Sequence, residues 1–500
     1  MTEVVDTPEI EFEVIKQRTA TGVASFLLRM IFLQMVTFVA SIFVSRFLSP
    51  FAFGIYGVVS NFVLLFVFFS DIGLAAALVQ KKEKLTRREL TTTFTIQQLL
   101  VVCLVILIIL FLPLAQKVLK FDNDGLWLGR ALAFSLLLAS LKSIPSVLLE
   151  RRLKFNLLVI PEIAETIIFN GVLVSLAYFG FGIKSFSWAV LSRGVVGLIA
   201  IYLLSPWKIG FGFEKKVASR LLRFGFPFQL NSVLAWFKDN LMDNVVALIL
   251  RSPEAFGYLN WARALAYQPR KIMDSVIRIS FPVYSRLQHD REILAKALSK
   301  TYFFLSFLMF PLITGVCVLV RPLIFYLYGG PKWLPAVPAV YFISATLLWA
   351  VFNSVATNTL SAIGKIKVVL KFMTMITVTT WLLTPVLTLK WGFNGAALAS
   401  FLTGFVSLWS IKKCFQEVKI NFFENIRSAF WASLVMGISV YLLGRFWVAS
   451  FFQLLLVVGF GALVYTVIFY LLEKERLPKE IKSFLGKDFN LAIFSFIRRR

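Results

Sequence analysis

Long apolar runs alternate with short charged breaks along almost the whole chain. A helix needs about 20 residues to cross the hydrocarbon core of a bilayer. Runs of that order fall at 21–46, 52–78, 90–113, 127–149, 156–180, 185–206, 226–250, 255–281, 302–320, 336–361, 366–389, 394–414, 428–447 and 450–472. The pattern predicts an all-α polytopic membrane protein with about 14 transmembrane helices. The run at 255–281 is the most polar, carrying Arg263, Arg270, Lys271 and Asp274. These runs are unbroken and do not alternate in ~10-residue segments, which excludes a β-barrel.

Composition narrows the picture. Of 500 residues, 59% are hydrophobic, and the mean hydropathy is +0.81. Soluble domains hold about 45–50% apolar residues, so neither a water-soluble fold nor disorder fits. Lys and Arg number 52 against 26 Asp and Glu, a net charge of +26. In a membrane protein such an excess marks cytoplasmic loops. With the amino terminus inside, the inner loops carry Lys81, Lys82, Lys84, Arg87 and Arg88, then Arg151, Arg152 and Lys154, then Lys215, Lys216, Arg220 and Arg223. Later inner loops repeat the bias, and both termini face the cytoplasm. Nucleic acid is therefore not the expected partner.

Other chemistry is sparse. Cys103, Cys317 and Cys414 build neither a disulfide framework nor a metal cluster. The one histidine, His289, lies in a charged loop. The acidic start (Glu3, Asp6, Glu9, Glu11, Glu13) is not the basic region of a signal peptide, so the first run is expected to be retained. There is no phosphate-binding Gly-rich loop and no Gly-x-Ser-x-Gly, and the expectation is that the chain is not an enzyme. The tail after Leu472 mixes charge with Phe484, Leu485, Phe489, Leu491, Phe494 and Ile497, the pattern of either an interfacial helix or a solvated tail.

A short motif recurs. Ser49-Pro50-Phe51-Ala52-Phe53-Gly54 returns as Ser252-Pro253-Glu254-Ala255-Phe256-Gly257, at the same topological place. The offset also brings Asp71 onto Asp274. The motif divides the chain into a cytoplasmic tail (1–20), a six-helix lobe (21–206), a cytoplasmic linker (207–225), a second six-helix lobe (226–416), two extra helices (428–472) and a basic cytoplasmic tail (473–500). An even number of helices per unit makes the repeat parallel, the arrangement of alternating-access transporters.

Ionisable groups inside a membrane are costly, and they mark pathways or pair with one another. Arg29, Arg130, Lys142, Arg193, Lys238, Arg263, Arg270 and Lys271 stand against Asp71, Glu162, Glu165, Asp239, Asp243 and Asp274. On one continuous helix, Arg263, Arg270 and Asp274 would share a face, with Tyr267 beside them. Arg29, Arg193, Lys238, Arg263, Arg270 and Lys271 are the candidates for binding an anionic, phosphate-bearing substrate, because arginine presents a fork of donors to phosphate. Asp71, Asp239, Asn240, Asp243 and Asp274 are the candidates for a coupling ion or for charge pairing, for example Asp239 with Arg270. Pro161, Pro269, Pro311 and Pro385 fall inside expected helices, where each removes a backbone bond and favours a kink.

Phe47–Gly57, Ser70–Gln80, Leu149-Glu150-Arg151-Arg152-Leu153-Lys154-Phe155, Phe281-Pro282-Val283-Tyr284-Ser285-Arg286-Leu287 and Tyr328-Gly329-Gly330-Pro331-Lys332-Trp333 form a set of segments in fixed order. Together they resemble polysaccharide-synthesis flippases of the Wzx type. Pro331 departs from the acidic residue that many such proteins carry there. The resemblance runs from about Gln17 to Gln416. It implies the fold of the multidrug/oligosaccharidyl-lipid/polysaccharide exporter superfamily, with two six-helix lobes around a cavity. It also implies an undecaprenyl-diphosphate-linked oligosaccharide moved across the bacterial cytoplasmic membrane for O-antigen or exopolysaccharide assembly. The alternative within that fold is a cation-coupled small-molecule or multidrug exporter. No cofactor is expected beyond coupling to Na+ or H+. The expected partners are the lipid-linked oligosaccharide, membrane lipids and other polysaccharide assembly proteins.

Overall fold

The computed structural model describes residues 32–81 and 83–478, without the side chains of residues 155, 224–240, 275, 278 and 279. The expected tail 1–20, the start of the first span, and residues 479–500 of the expected tail 473–500 lie outside the described residues. What is described is helical, with no strand among the described residues. The first helices are α1 (Phe32–Phe47), α2 (Pro50–Val67), α3 (Leu74–Gln80), α4 (Arg87–Leu119), α5 (Asn123–Leu141), α6 (Ser143–Arg151), α7 (Phe155–Tyr178) and α8 (Lys184–Leu204). There follow α9 (Lys215–Leu250), α10 (Pro253–Ala266), α11 (Arg270–Leu287), α12 (Arg291–Tyr326), α13 (Val337–Ala362), α14 (Ile366–Gly404), α15 (Ser407–Glu417), α16 (Phe422–Trp447) and α17 (Phe451–Leu472).

Capping residues set the helix starts, since the first N–H groups of a helix have no partner within it. Ser49 Oγ accepts from Ala52 N at 3.3 Å, and Ser252 Oγ accepts from Ala255 N at 3.2 Å, so both copies of the recurring motif open a helix in the same way. Thr86 and Glu89 form a reciprocal capping box at the start of α4. Asp290 caps α12 through the N–H groups of Glu292 and Ile293.

Ten helical segments among the described residues are long and apolar enough to span a membrane. Their outward faces are apolar too: Leu110, Leu203 and Leu389 are 68, 78 and 72% exposed. Surfaces of this kind belong in lipid, where helices satisfy their own backbone groups. The chain is a multi-pass membrane protein.

One of the ten, Ile366–Glu417, covers two of the expected runs. Trp391 and Gly392 leave helical geometry, and a Cβ on Gly395 would lie 1.9 Å from Leu387 O. In a straight helix residues eight apart are about 12 Å apart, so the chain folds back here. The expected runs 21–46 and 226–250 lie partly outside what is described.

The single helix expected at 255–281 does not form. Tyr267–Pro269 separate α10 from α11. Pro269 has no N–H to give and disfavours helical geometry in the residue before it. Pro161, Pro311 and Pro385 stay inside their helices.

Two compact units divide the chain, residues 1–260 and 261–500. In the first, α7 packs along α8 and α5 along both α4 and α8, while α9 meets α2, α3 and α4. In the second, the core lies among α12, α13, α16 and α17. Here α17 is tied to α12 by Tyr465 Oη, which donates to Phe307 O at 2.7 Å, and by the Phe307 and Phe469 rings, 4.7 Å apart.

Candidate functional site

In the first unit, Glu165 of α7 gathers two cations. Its Oε1 lies 2.5 Å from Lys142 Nζ, and its Oε2 lies 3.3 Å from Arg193 Nε. Lys142 sits at the joint between α5 and α6, and Arg193 projects from α8 with its guanidinium 5.9 Å from the Phe169 ring centroid. Gly197, one turn beyond Arg193, leaves the space that the carboxylate fills: a Cβ there would lie 1.9 Å from Glu165 Oε1. Lys142 and Glu165 are largely buried, while the Arg193 side chain is 55% exposed. Two cations share one carboxylate, so the cluster carries one net positive charge on its exposed side. Fixed, partly desolvated cations of this kind attract a phosphate more strongly than solvated ones do.

Asp71 has a different setting. Its Oδ1 accepts from Leu74 N at 2.9 Å and Ala75 N at 3.4 Å, capping the first turn of α3 beyond the left-handed Gly73. A second charged joint lies at the neighbouring helix ends. Glu89, 2% exposed, accepts from Lys81 Nζ at 2.8 Å and from Arg220 Nη2 at 2.5 Å. This joins α9 and the end of α3 to α4. Arg151 donates to the carbonyls of Leu78, Lys81 and Glu83 and fixes the connection that follows α3.

In the second unit, the turn at Tyr267–Pro269 interrupts the continuous helix on which Arg263, Arg270 and Asp274 were expected to share a face. Arg263 stays half-buried on α10. Arg270 opens α11, its guanidinium 5.7 Å from the Tyr267 ring centroid and its Nε 3.8 Å from Asp274 Oδ2. Both members of this pair are about half exposed. Lys271 is exposed beside them. Of the remaining candidates, Asp243 is half-buried on α9. Arg29 and the side chains of Lys238, Asp239 and Asn240 lie outside what is described. No group of three or more His, Cys, Asp or Glu gathers among the described residues as a metal site would require.

A family model described as "Polysaccharide biosynthesis protein" matches residues 43–338. The chain belongs to this family. An uncharacterized membrane protein of the cps region of Klebsiella pneumoniae is 26% identical over 325 residues, 62% of this chain and 62% of its own length. The chain thus spans less than two thirds of that relative. The teichuronic acid biosynthesis protein TuaB of Bacillus subtilis (strain 168) is 24% identical over 382 residues, 74% of this chain and 77% of its own. Among solved structures, the lipid II flippase MurJ in an inward closed conformation matches with a TM-score of 0.73 at 18% identity. That match covers 91% of this chain and 100% of the other, and it is a likeness of fold.

The segments that carry the family resemblance are joints. Ser49 and Asp71 cap helices, and Arg151 holds a loop. Tyr284 Oη donates to Thr301 Oγ1 at 2.6 Å. Trp333 stacks on Trp261 at 4.8 Å, with Tyr328 edge-on to the same ring at 5.4 Å. The cluster around Glu165 belongs to none of these segments. Lys142 and Glu165 stood in the sequence as intramembrane charges, but nothing in one dimension joins positions 142, 165 and 193. Gly197 carried no sequence signal at all.

Proposed function

We propose that this family member is a flippase. It moves an undecaprenyl-diphosphate-linked oligosaccharide unit from the cytoplasmic to the outer leaflet of the bacterial cytoplasmic membrane, for surface polysaccharide assembly. The observation that carries the reading is the Lys142–Glu165–Arg193 cluster: a half-exposed arginine held in place at membrane depth, with cations in excess of carboxylates. A diphosphate carries the opposite charge and accepts the donor fork of arginine. Fold likeness to a lipid II flippase supports the same substrate class.

Arg193, Arg263, Arg270 and Lys271, with Arg29 and Lys238, receive the diphosphate. Both termini lie in the cytoplasm, as the positive-inside bias requires. The expected six-helix lobes 21–206 and 226–416 act as the two halves of an alternating-access transporter. Coupling to Na+ or H+ falls to Asp243 with Asp239 and Asn240, which share one helix and offer hard oxygen ligands. Asp274 serves Arg270, and Asp71 serves α3.

The test is a deletion strain. Undecaprenyl-linked repeat units should accumulate on the cytoplasmic face and disappear on complementation. Normal units on the outer face of the deletion strain would refute flipping, and accumulation of a small cationic compound instead would favour an exporter.

A further inference from the structure

The second unit contains a cavity of about 670 Å³ that uses none of the residues assigned to flipping. It is lined by Lys296, Lys300, Lys419 and Arg476, with Glu424 as the acidic member and Ser299, Asn421 and Asn425 among the neutral polar ones. Four cations against one carboxylate leave the lining three charges positive. The cavity forms where α12 begins, where α16 begins and where the chain leaves α17, so three elements far apart in sequence bring their basic ends together. The positive-inside reading places all three ends on the cytoplasmic side.

The cavity is built, not merely a meeting of solvated lysines. Arg476 is half-buried. Its Nη2 donates to Asn425 Oδ1 at 2.6 Å, and its guanidinium lies 4.4 Å from the Phe303 ring centroid. Asn425 is itself 5% exposed and donates to Asn421 O at 2.9 Å. Asn421 Nδ2 donates to Glu424 Oε2 at 3.2 Å, which occupies the one acid of the lining. Behind the pocket, the buried Glu473 accepts from Ser428. The arginine plane is thus fixed by α12 and α16, while Lys296 and Lys419 are exposed at the rim.

The surroundings identify the ligand class. The helix ends that make the pocket are ends of membrane-spanning segments, so it opens at headgroup depth. Phe423, next to the lining residue Glu424, is 80% exposed, and Leu471 near the end of α17 is 63% exposed. Basic pockets between transmembrane helices on the cytoplasmic side suit acidic lipid headgroups, and apolar residues beside them suit acyl chains.

We propose that this pocket is a second anion site, which holds the phosphate of an anionic membrane lipid and fastens α16 and α17 to α12 through that headgroup. The proposal stands whether or not the chain is a flippase.

The experiment is native mass spectrometry of the full-length protein in detergent. The lipids are phosphatidylglycerol and phosphatidylcholine with the same acyl chains, and inorganic phosphate is the competitor. Phosphatidylglycerol should bind about tenfold tighter than phosphatidylcholine, and Lys296→Gln/Lys419→Gln should lose about that factor while melting like the native protein in phosphatidylcholine. Lys419→Gln alone, in a connection between helices, should lose part of it. Equal binding of the two lipids, or unchanged phosphatidylglycerol affinity in both variants, overturns the site. Displacement of phosphatidylglycerol by millimolar phosphate overturns the lipid assignment in favour of free phosphate. Retention against that competitor supports it.

Discussion

Gly54 of α2 and Gly257 of α10 lie at a crossing too close for any side chain. A Cβ on Gly54 would sit 1.6 Å from Pro253 O, and a Cβ on Gly257 would sit 1.9 Å from Pro50 O. Each glycine thus meets the carbonyl that opens the other copy of the motif. Both residues belong to the first compact unit. The recurring Ser-Pro-x-Ala-Phe-Gly is therefore a matched pair of helix starts that touch, and its last position has to be glycine because the opposing atoms are backbone.

Gly54→Ala and Gly257→Ala should each destabilise the protein by about 3 kcal/mol or more, at or above the upper range for overpacking, since a backbone carbonyl cannot rotate away. Gly171→Ala, whose added methyl would meet nothing within 4 Å, is the control. Melting midpoints in detergent measure both. A native-like midpoint for Gly54→Ala would contradict the crossing.

Glu165→Gln should leave Lys142 and Arg193 without their shared counter-charge. Breaking a buried pair costs about 3–5 kcal/mol, and the exposure of Arg193 brings the expectation to the low end. Arg193→Gln should spare stability, because the more buried Lys142–Glu165 pair remains, and should reduce export of the lipid-linked unit. Comparable melting losses for both variants would mean that the three residues form a purely structural triad.

Asp71→Asn should fold and export normally, because its side-chain oxygen still accepts from Leu74 N and Ala75 N. Asp71→Ala should lose about 0.5–2 kcal/mol, the cost of a missing helix cap. Loss of export in Asp71→Asn with native melting would show that the charge itself is needed, and would return Asp71 to the coupling candidates.

Arg270→Ala and Arg263→Ala should abolish polymer export while the protein remains in the membrane at native abundance. Asp274→Asn should have a small effect on stability, since an exposed pair four residues apart on a helix contributes about 0.3–0.5 kcal/mol. Normal surface polysaccharide in both arginine variants would remove them from the substrate path.

The limits of reading in one dimension show at particular residues. The helices were legible because a bilayer imposes a local requirement, about 20 apolar residues in succession. The turn at Trp391–Gly392 and the caps at Ser49 and Ser252 carry local chemistry of the same sort. The single helix drawn through Arg263, Arg270 and Asp274 is interrupted because hydropathy and 3.6-residue spacing carry no weight for one proline. Pro269 ends a helix where Pro161, Pro311 and Pro385 are accommodated inside theirs.

By itself the sequence determined the solvent this chain folds in, the long apolar helices that suit it, and the recurrence of one motif at two helix starts. Each of these follows from the transfer of adjacent residues between water and lipid, which is local. Only the tertiary structure decided which charges meet. Glu165 holds Lys142 and Arg193, Glu89 holds Lys81 and Arg220, and Arg476 closes a basic pocket on Asn425 and Phe303. Pairing in a low-dielectric interior depends on a few ångströms of separation, and helix packing sets that distance even for Arg220 and Glu89, which stand 131 positions apart.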